Sequence, residues 1–233
     1  NSKIEFIIIH YTSINKINDT ISYLCEDTNK VSAHYLIGQD GKVFSLVQEK
    51  FRAWHAGVAF WNNNIDINDS SIGIELDYSL NLPNNKFSNK MINSLILLLA
   101  TLKKKYKIDN KNILGHSDVA PYRKIDPGPN FPWYKLYKNN LAFKINKKFQ
   151  GKISILNSWF KKHKIKTNKK TAIFILSYIG YDTSKVIKND RLFSSLIKVY
   201  QFRFLKRVYL GEIDKQTMKF LKLHLLNLLL TKK

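Results

Sequence analysis

The chain opens on an unbroken apolar run, Ile7-Ile8-Ile9, with Ile4 and Phe6 before it and His10 after it. A β-branched run without polar alternation predicts a strand buried on both faces, over residues 4–9. Residues 17–27 carry a short helical pattern. Residues 34–38 and 42–47 flank Asp40-Gly41, which reads as a two-residue hairpin turn. Residues 71–77 predict a further strand. Ser88 suits the N-cap of a helix running to about residue 107, because Met91, Ile92, Leu95, Leu99, Leu102 and Tyr106 recur at helical spacing. Residues 112–116 predict a short last strand, and the Pro-rich stretch 121–132 an irregular loop. Farther on the pattern turns wholly helical, at about 152–163, 170–180, 191–207 and 214–230. Strands alternating with helices make the first part α/β, and the second part is all-α.

Composition narrows this picture. Of 233 residues 44% are hydrophobic and 13% aromatic, enough for a packed core. The longest apolar stretches, 95–100 and 225–230, fall far short of the ~20 residues of a membrane helix. Cys25 is the single cysteine, which excludes an intrachain disulfide and a multi-cysteine metal site. Lys and Arg number 39 against 17 Asp and Glu, a net charge of +22. That imbalance favours an anionic partner. Only five of the 39 are Arg, and the richness in Lys, Asn and Ile matches AT-rich codons equally well. Residues 1–150 hold 20 basic and 13 acidic side chains, and residues 151–233 hold 19 and 4. With a basic connector over 144–152, the chain reads as two domains, 1–148 and 149–233. It begins at Asn1 without Met, as expected of a trimmed or mature form.

Candidate chemistry gathers at predicted strand ends. His10 closes the first strand and His116 the last, and Asp126 follows in the rigid loop Lys124-Ile125-Asp126-Pro127-Gly128. Two imidazoles and a carboxylate can converge on one ion and leave a fourth position for water, the pattern of a catalytic zinc site. Spacing alone leaves each histidine equally readable as a polar residue at a strand end. Glu75 lies among apolar neighbours in Ile72-Gly73-Ile74-Glu75-Leu76. It is either a proton carrier in an apolar cleft or a solvent-facing strand residue. Lys124, two residues before Asp126, is either a cation beside the metal or one more lysine in a lysine-rich chain. Trp54-His55-Ala56-Gly57 reads as a substrate-binding segment, with Tyr35 as a further contact. The alternative for that segment is a packed turn. His34 reads as a hydrogen-bonded structural residue, with a third metal ligand as the alternative, and His163 and His224 carry no assigned role.

Taken together, the segments around His10, His34, Trp54, Glu75, His116 and Asp126 occur in an order that resembles the type 2 N-acetylmuramoyl-L-alanine amidases, zinc peptidoglycan amidases related to the peptidoglycan-recognition proteins. The resemblance covers residues 3–140. It implies a mixed central sheet flanked by helices, one Zn2+ per chain on His10, His116 and Asp126, Glu75 as acid/base and Lys124 as the basic residue beside the metal. It also implies that His34 and His55 are not ligands. Farther on, Gly180-Tyr181, Tyr200-Gln201-Phe202-Arg203-Phe204 and Gly211-Glu212-Ile213-Asp214-Lys215-Gln216-Thr217 look like a three-helix peptidoglycan-binding module. Together the halves resemble the two-domain, cell-envelope form of the family, which implies the periplasm or envelope as location.

The implied partners are peptidoglycan or muropeptides, with an anionic envelope surface for the basic second half. The alternative function is a non-catalytic recognition protein on the same fold. Such members lose a metal ligand, whereas all three are present. Nucleic-acid binding would rest on net charge alone, and no binding motif accompanies it.

Overall fold

A computed structural model describes residues 3–14, 16–80, 86–205 and 210–231. Its elements are β1 (Phe6–Tyr11), α1 (Ile17–Cys25), β2 (Tyr35–Ile37), β3 (Val43–Ser45), β4 (Ser71–Leu76), α2 (Asn89–Tyr106), β5 (Ile113–Gly115), α3 (His116–Val119), α4 (Trp133–Lys138), α5 (Ile153–Lys162), α6 (Lys169–Ile179), α7 (Asp190–Phe204) and α8 (Lys215–Leu230). The chain divides into two compact units. One takes residues up to Phe143 except 60–64 and 121–123, and the other takes those two segments and the chain from Lys144 onward.

The first unit is built on a mixed five-stranded sheet in the order β3-β2-β4-β1-β5, in which only the β2–β3 pair is antiparallel. β1 lies between β4 and β5, and its isoleucines, which alternate between the two faces, are all buried. Ile7 and Ile9 share one face with Ile72, Ile74 and Leu76. There they pack in one core with Met91, Ile92, Leu95, Leu99 and Leu102, the apolar stripe of α2. Ser88 caps α2 as its Oγ accepts from the Met91 N–H at 3.1 Å. Strand alternation sends Ile8, His10, Gly73 and Glu75 to the opposite face.

Local differences from the sequence reading have identifiable causes. The turn at Asp40-Gly41 is a three-residue loop. Gly41 N–H donates to Gly38 O, and Gly41 then takes φ +87 before the ladder resumes, as in a type I turn with a bulge. The last strand stops at Gly115, so His116 starts a helix rather than ending a strand.

In the second unit the residues likened to a peptidoglycan-binding module serve the fold. Gln201 donates to Glu212 O and Thr217 Oγ1, both at 3.0 Å, and accepts from the Gly211 N–H at 3.1 Å. Asp214 caps α8 by accepting from the Thr217 N–H at 2.6 Å. Gly211 sits at φ +74, and a Cβ there would lie 2.2 Å from Ser194 Oγ. Tyr181 and Tyr200 are core residues, while Tyr178 is 38% exposed. The end of the expected 191–207 helix lies outside the described residues. No helix among the described residues is long and apolar enough to cross a membrane.

Candidate metal centre

His10 is the next-to-last residue of β1, on the face away from α2. β5 pairs with β1 as far as Ile9 opposite Gly115, so the chain turns into α3, with His116 first, right beside His10. Asp126 comes from the loop after α3. Its carbonyl accepts from the Ser117 N–H at 2.8 Å, which ties the loop to the start of that helix. Gly115 leaves room for the loop, since a Cβ there would lie 2.5 Å from Pro127 Cδ.

The three side chains meet in a buried cluster. His10 Nδ1 lies 2.9 Å from His116 Nδ1, and Asp126 Oδ2 lies 3.0 Å from the latter and 3.3 Å from the former. Burial and the neighbouring His116 push the His10 imidazole down to about 4, against the pull of Asp126. Burial opposes ionisation of Asp126, but His116 and His10 outweigh it and hold the carboxyl well below its usual range. At neutral pH the set therefore offers uncharged His10 and a carboxylate, the states that bind metal.

The donor set fits a zinc ion. His116 Nε2 lies 3.1 Å from Ala56 O. A carbonyl only accepts, so neutral His116 carries its proton on Nε2 and turns the Nδ1 lone pair into the cluster. Lone pairs brought this close repel one another unless a cation lies among them. Tetrahedral zinc, with bonds of ~2.0–2.1 Å, spaces its ligand atoms by roughly 3.4 Å, near the separations found, and two imidazoles with one carboxylate leave one position open.

Glu75 is the register partner of His10 on β4 and is 9% exposed, so it is not solvent-facing. Its Oε2 has no hydrogen-bond partner among the described residues. Burial and the charge of Asp126 push its carboxyl up to about 8, with Lys124 pulling the other way. Lys124 is held by its backbone N–H donating to Ala120 O at 3.1 Å, and its charge also acts on His10.

The expected substrate contacts separate. Trp54 is 54% exposed, with the Arg52 guanidinium 4.2 Å from its ring centre, and borders a 430 Å³ cavity shared with Leu24, Val31 and Lys30. Tyr35 is not at the cluster. It pairs with Ile74, on the α2 face, and its hydroxyl donates to Glu49. His55 is buried behind His10, with its Nδ1 3.0 Å from His10 Nε2. Ala56 is buried too, its carbonyl held by His116. His34 accepts from the Gly73 N–H through Nδ1 and lies 3.1 Å from Phe51 O through Nε2, the structural role its position predicted.

Three residues escaped the sequence reading. Asn68 Oδ1 accepts from the N–H groups of His55 and Ala56, at 3.1 and 2.7 Å. Ser71 Oγ lies 3.2 Å from His55 Nε2. A Cβ on Gly73 would lie 2.3 Å from His55 Cγ. Only the repeated Ser70-Ser71 and the glycine inside a strand hinted at them.

Known proteins are similar to this chain over long stretches. The sequence profile of the N-acetylmuramoyl-L-alanine amidase family matches residues 1–129. N-acetylmuramoyl-L-alanine amidase AmiD of Escherichia coli K12 is 32% identical over 237 residues, 92% of this chain and 80% of that protein. The 1,6-anhydro-N-acetylmuramyl-L-alanine amidase AmpD of Enterobacter cloacae is 41% identical over 107 residues, 46% of this chain and 56% of that protein. Among solved structures, E. coli AmiD in complex with the substrate anhydro-N-acetylmuramic acid-L-Ala-D-gamma-Glu-L-Lys has a TM-score of 0.82 at 27% identity, covering 97% of this chain and 89% of that one. AmpDH3 of Pseudomonas aeruginosa, in complex with anhydromuramic pentapeptide, has a TM-score of 0.83 at 28% identity, covering 98% and 93%. With more than half of its length under the family profile and a relative above 30% identity matched over 80% of its length, this chain belongs to the N-acetylmuramoyl-L-alanine amidase family.

Proposed function

We propose that the chain hydrolyses the amide bond between N-acetylmuramic acid, or its 1,6-anhydro form, and the L-alanine of the stem peptide, with one zinc ion held by His10, His116 and Asp126. The observation that carries this reading is the convergence of two imidazole nitrogens and a carboxylate oxygen within 3.3 Å, beside a buried carboxyl whose Oε2 has no partner among the described residues. Bound zinc supplies a Lewis acid that polarises an amide carbonyl and acidifies water. Glu75 takes the proton of the attacking water and returns it to the departing L-alanine nitrogen, so the amide C–N bond breaks with the proton balanced. Lys124 sets a positive charge near the carbonyl oxygen as that oxygen gains negative charge. Half-exposed Trp54 offers a flat apolar face to a sugar or peptide. The helical second half binds cell-wall polymer, and the activity resides in the periplasm or cell envelope, readings supported by the likeness to two-domain amidases.

Mass spectrometry of products from purified sacculi and from anhydro-muropeptide tests the proposal. Stem peptides beginning at L-alanine are expected, and a chelator should abolish their release until zinc is restored. Unchanged muropeptides, or cleavage indifferent to chelator, would refute it.

A further inference from the structure

Behind the metal ligand His10 stands a line of hydrogen-bonding groups. His10 Nε2 lies 3.0 Å from His55 Nδ1, His55 Nε2 lies 3.2 Å from Ser71 Oγ, and Ser71 Oγ lies 2.5 Å from Ile67 O. The far end fixes the direction of the whole line. The Ile67 carbonyl can only accept, so Ser71 spends its one hydroxyl proton there. Ser71 Oγ then accepts from His55 Nε2–H. Neutral His55 is left with a bare Nδ1, which must accept from His10 Nε2–H. His10 is thereby confined to the tautomer whose Nδ1 lone pair faces Asp126 and His116.

The surroundings are shaped around this line. Gly73 makes the space for the His55 ring, since any side chain there would overlap it. Asn68 grips the backbone of His55 and Ala56. The two-residue segment thus serves both ligand histidines: the His55 ring fixes His10, and the Ala56 carbonyl fixes His116. At 6% exposure His55 is out of reach of a substrate.

We propose that His55, backed by Ser71, is a positioning residue that locks His10 into its zinc-binding tautomer. This rests on the reading of His10 as a zinc ligand. Groups hydrogen-bonded behind a metal-bound histidine typically matter by about 10–100-fold in metal affinity.

The full chain tests this through zinc affinity, measured by competition with a chelating indicator, and through 15N–1H spectra of the histidine rings in metal-free protein. His55→Leu and His55→Asn share one branched skeleton of four heavy side-chain atoms, so loss of the ring is common to both, but only Asn keeps an acceptor for His10. The Leu variant should bind zinc about 10–100-fold more weakly than wild type and show His10 in mixed tautomers. The Asn variant should stay within about threefold and keep the Nε2–H form. Ser71→Ala should weaken binding in the same direction by a smaller factor, and it carries the test if His55→Leu does not fold. Equal zinc affinity in the Leu and Asn variants, or an unchanged His10 spectrum and affinity in Ser71→Ala, overturns the proposal. Failure of the wild-type chain to bind zinc instead overturns the metal-site reading beneath it.

Discussion

His10 and Glu75 are register partners on adjacent parallel strands, and burial drives both towards their uncharged forms, the imidazole down to about 4 and the carboxyl up to about 8. One sheet position therefore carries a neutral imidazole of the candidate metal centre and, beside it, a carboxyl able to exchange a proton near neutral pH. The same alternation that buries Ile9 and Ile74 under α2 delivers both to the opposite face.

Replacing Glu75 with Gln keeps shape and removes the exchangeable proton. Positioned acid/base groups typically contribute about 10²–10⁴-fold to a rate. The variant should bind zinc as wild type does and lose amide cleavage by at least about a hundredfold. Single-turnover assays on a muropeptide, paired with metal analysis, make the comparison; cleavage within tenfold of wild type would remove Glu75 from the mechanism.

The metal-free protein should lose the stability that Glu75 contributes as pH rises from about 4.5 to about 8. Folding raises the Glu75 carboxyl from 4.5 to about 8, so the native state holds that proton more tightly than the unfolded chain. Its contribution is fully present below about pH 4.5 and is lost as pH rises through about 8. His10 works in the opposite sense at lower pH, because its native value is depressed to about 4; its contribution is present above about 6.5 and lost as pH falls. Above pH 6.5 the decline therefore belongs to Glu75. Urea unfolding of apo wild type and apo Glu75→Gln should give similar stabilities at pH 5 and a gap on the order of several kcal/mol in favour of Gln by pH 9. A constant gap across that range contradicts the buried, partner-poor state of the carboxyl.

Much of this architecture was legible because strong patterns are local. The Ile7–Ile9 run and the stripe from Met91 to Leu102 announce a central strand and its covering helix, and both formed. The metal cluster was legible only through the order of its motifs, since His10 and His116 are 106 residues apart and no spacing rule joins them. Tyr35 was misplaced because β2 is three residues long, too short for alternation to reveal which face a residue takes. The placement of His55 was not legible because it sits in a loop while its partners, Ser71 and Gly73, lie on β4 and become meaningful only once the ring has been packed against them.

Gly115 offers a steric test of the loop that carries Asp126. Its φ of −88 is open to any residue, so Gly115→Ala meets no backbone penalty. The added methyl would meet Pro127 Cδ at 2.5 Å and push on the residue next to Asp126. Overpacking of this kind costs typically about 1–3 kcal/mol. Denaturant unfolding of the variant should show that loss, and zinc should bind more weakly because one ligand has moved. A variant with wild-type zinc affinity would mean the Asp126 loop adapts without moving its carboxylate.

In the second unit, the expected weak point is Gln201 rather than an aromatic. One buried amide satisfies the Gly211 N–H, the Glu212 carbonyl and the Thr217 hydroxyl, and so holds the turn that leads into α8. Gln201→Leu keeps similar bulk and strips all three partners at once. Each buried polar group left unpaired costs about 1–3 kcal/mol, and some of these can turn to water, so a total loss of about 2–4 kcal/mol is expected. Phe202, which is only half-buried, should matter less when cut to Ala. Native-state hydrogen exchange gives the local readout: the Gly211 amide should lose protection in Gln201→Leu before the α6 amides do. Equal exchange at Gly211 in variant and wild type would mean the glycine's left-handed turn, not the glutamine, fixes this segment.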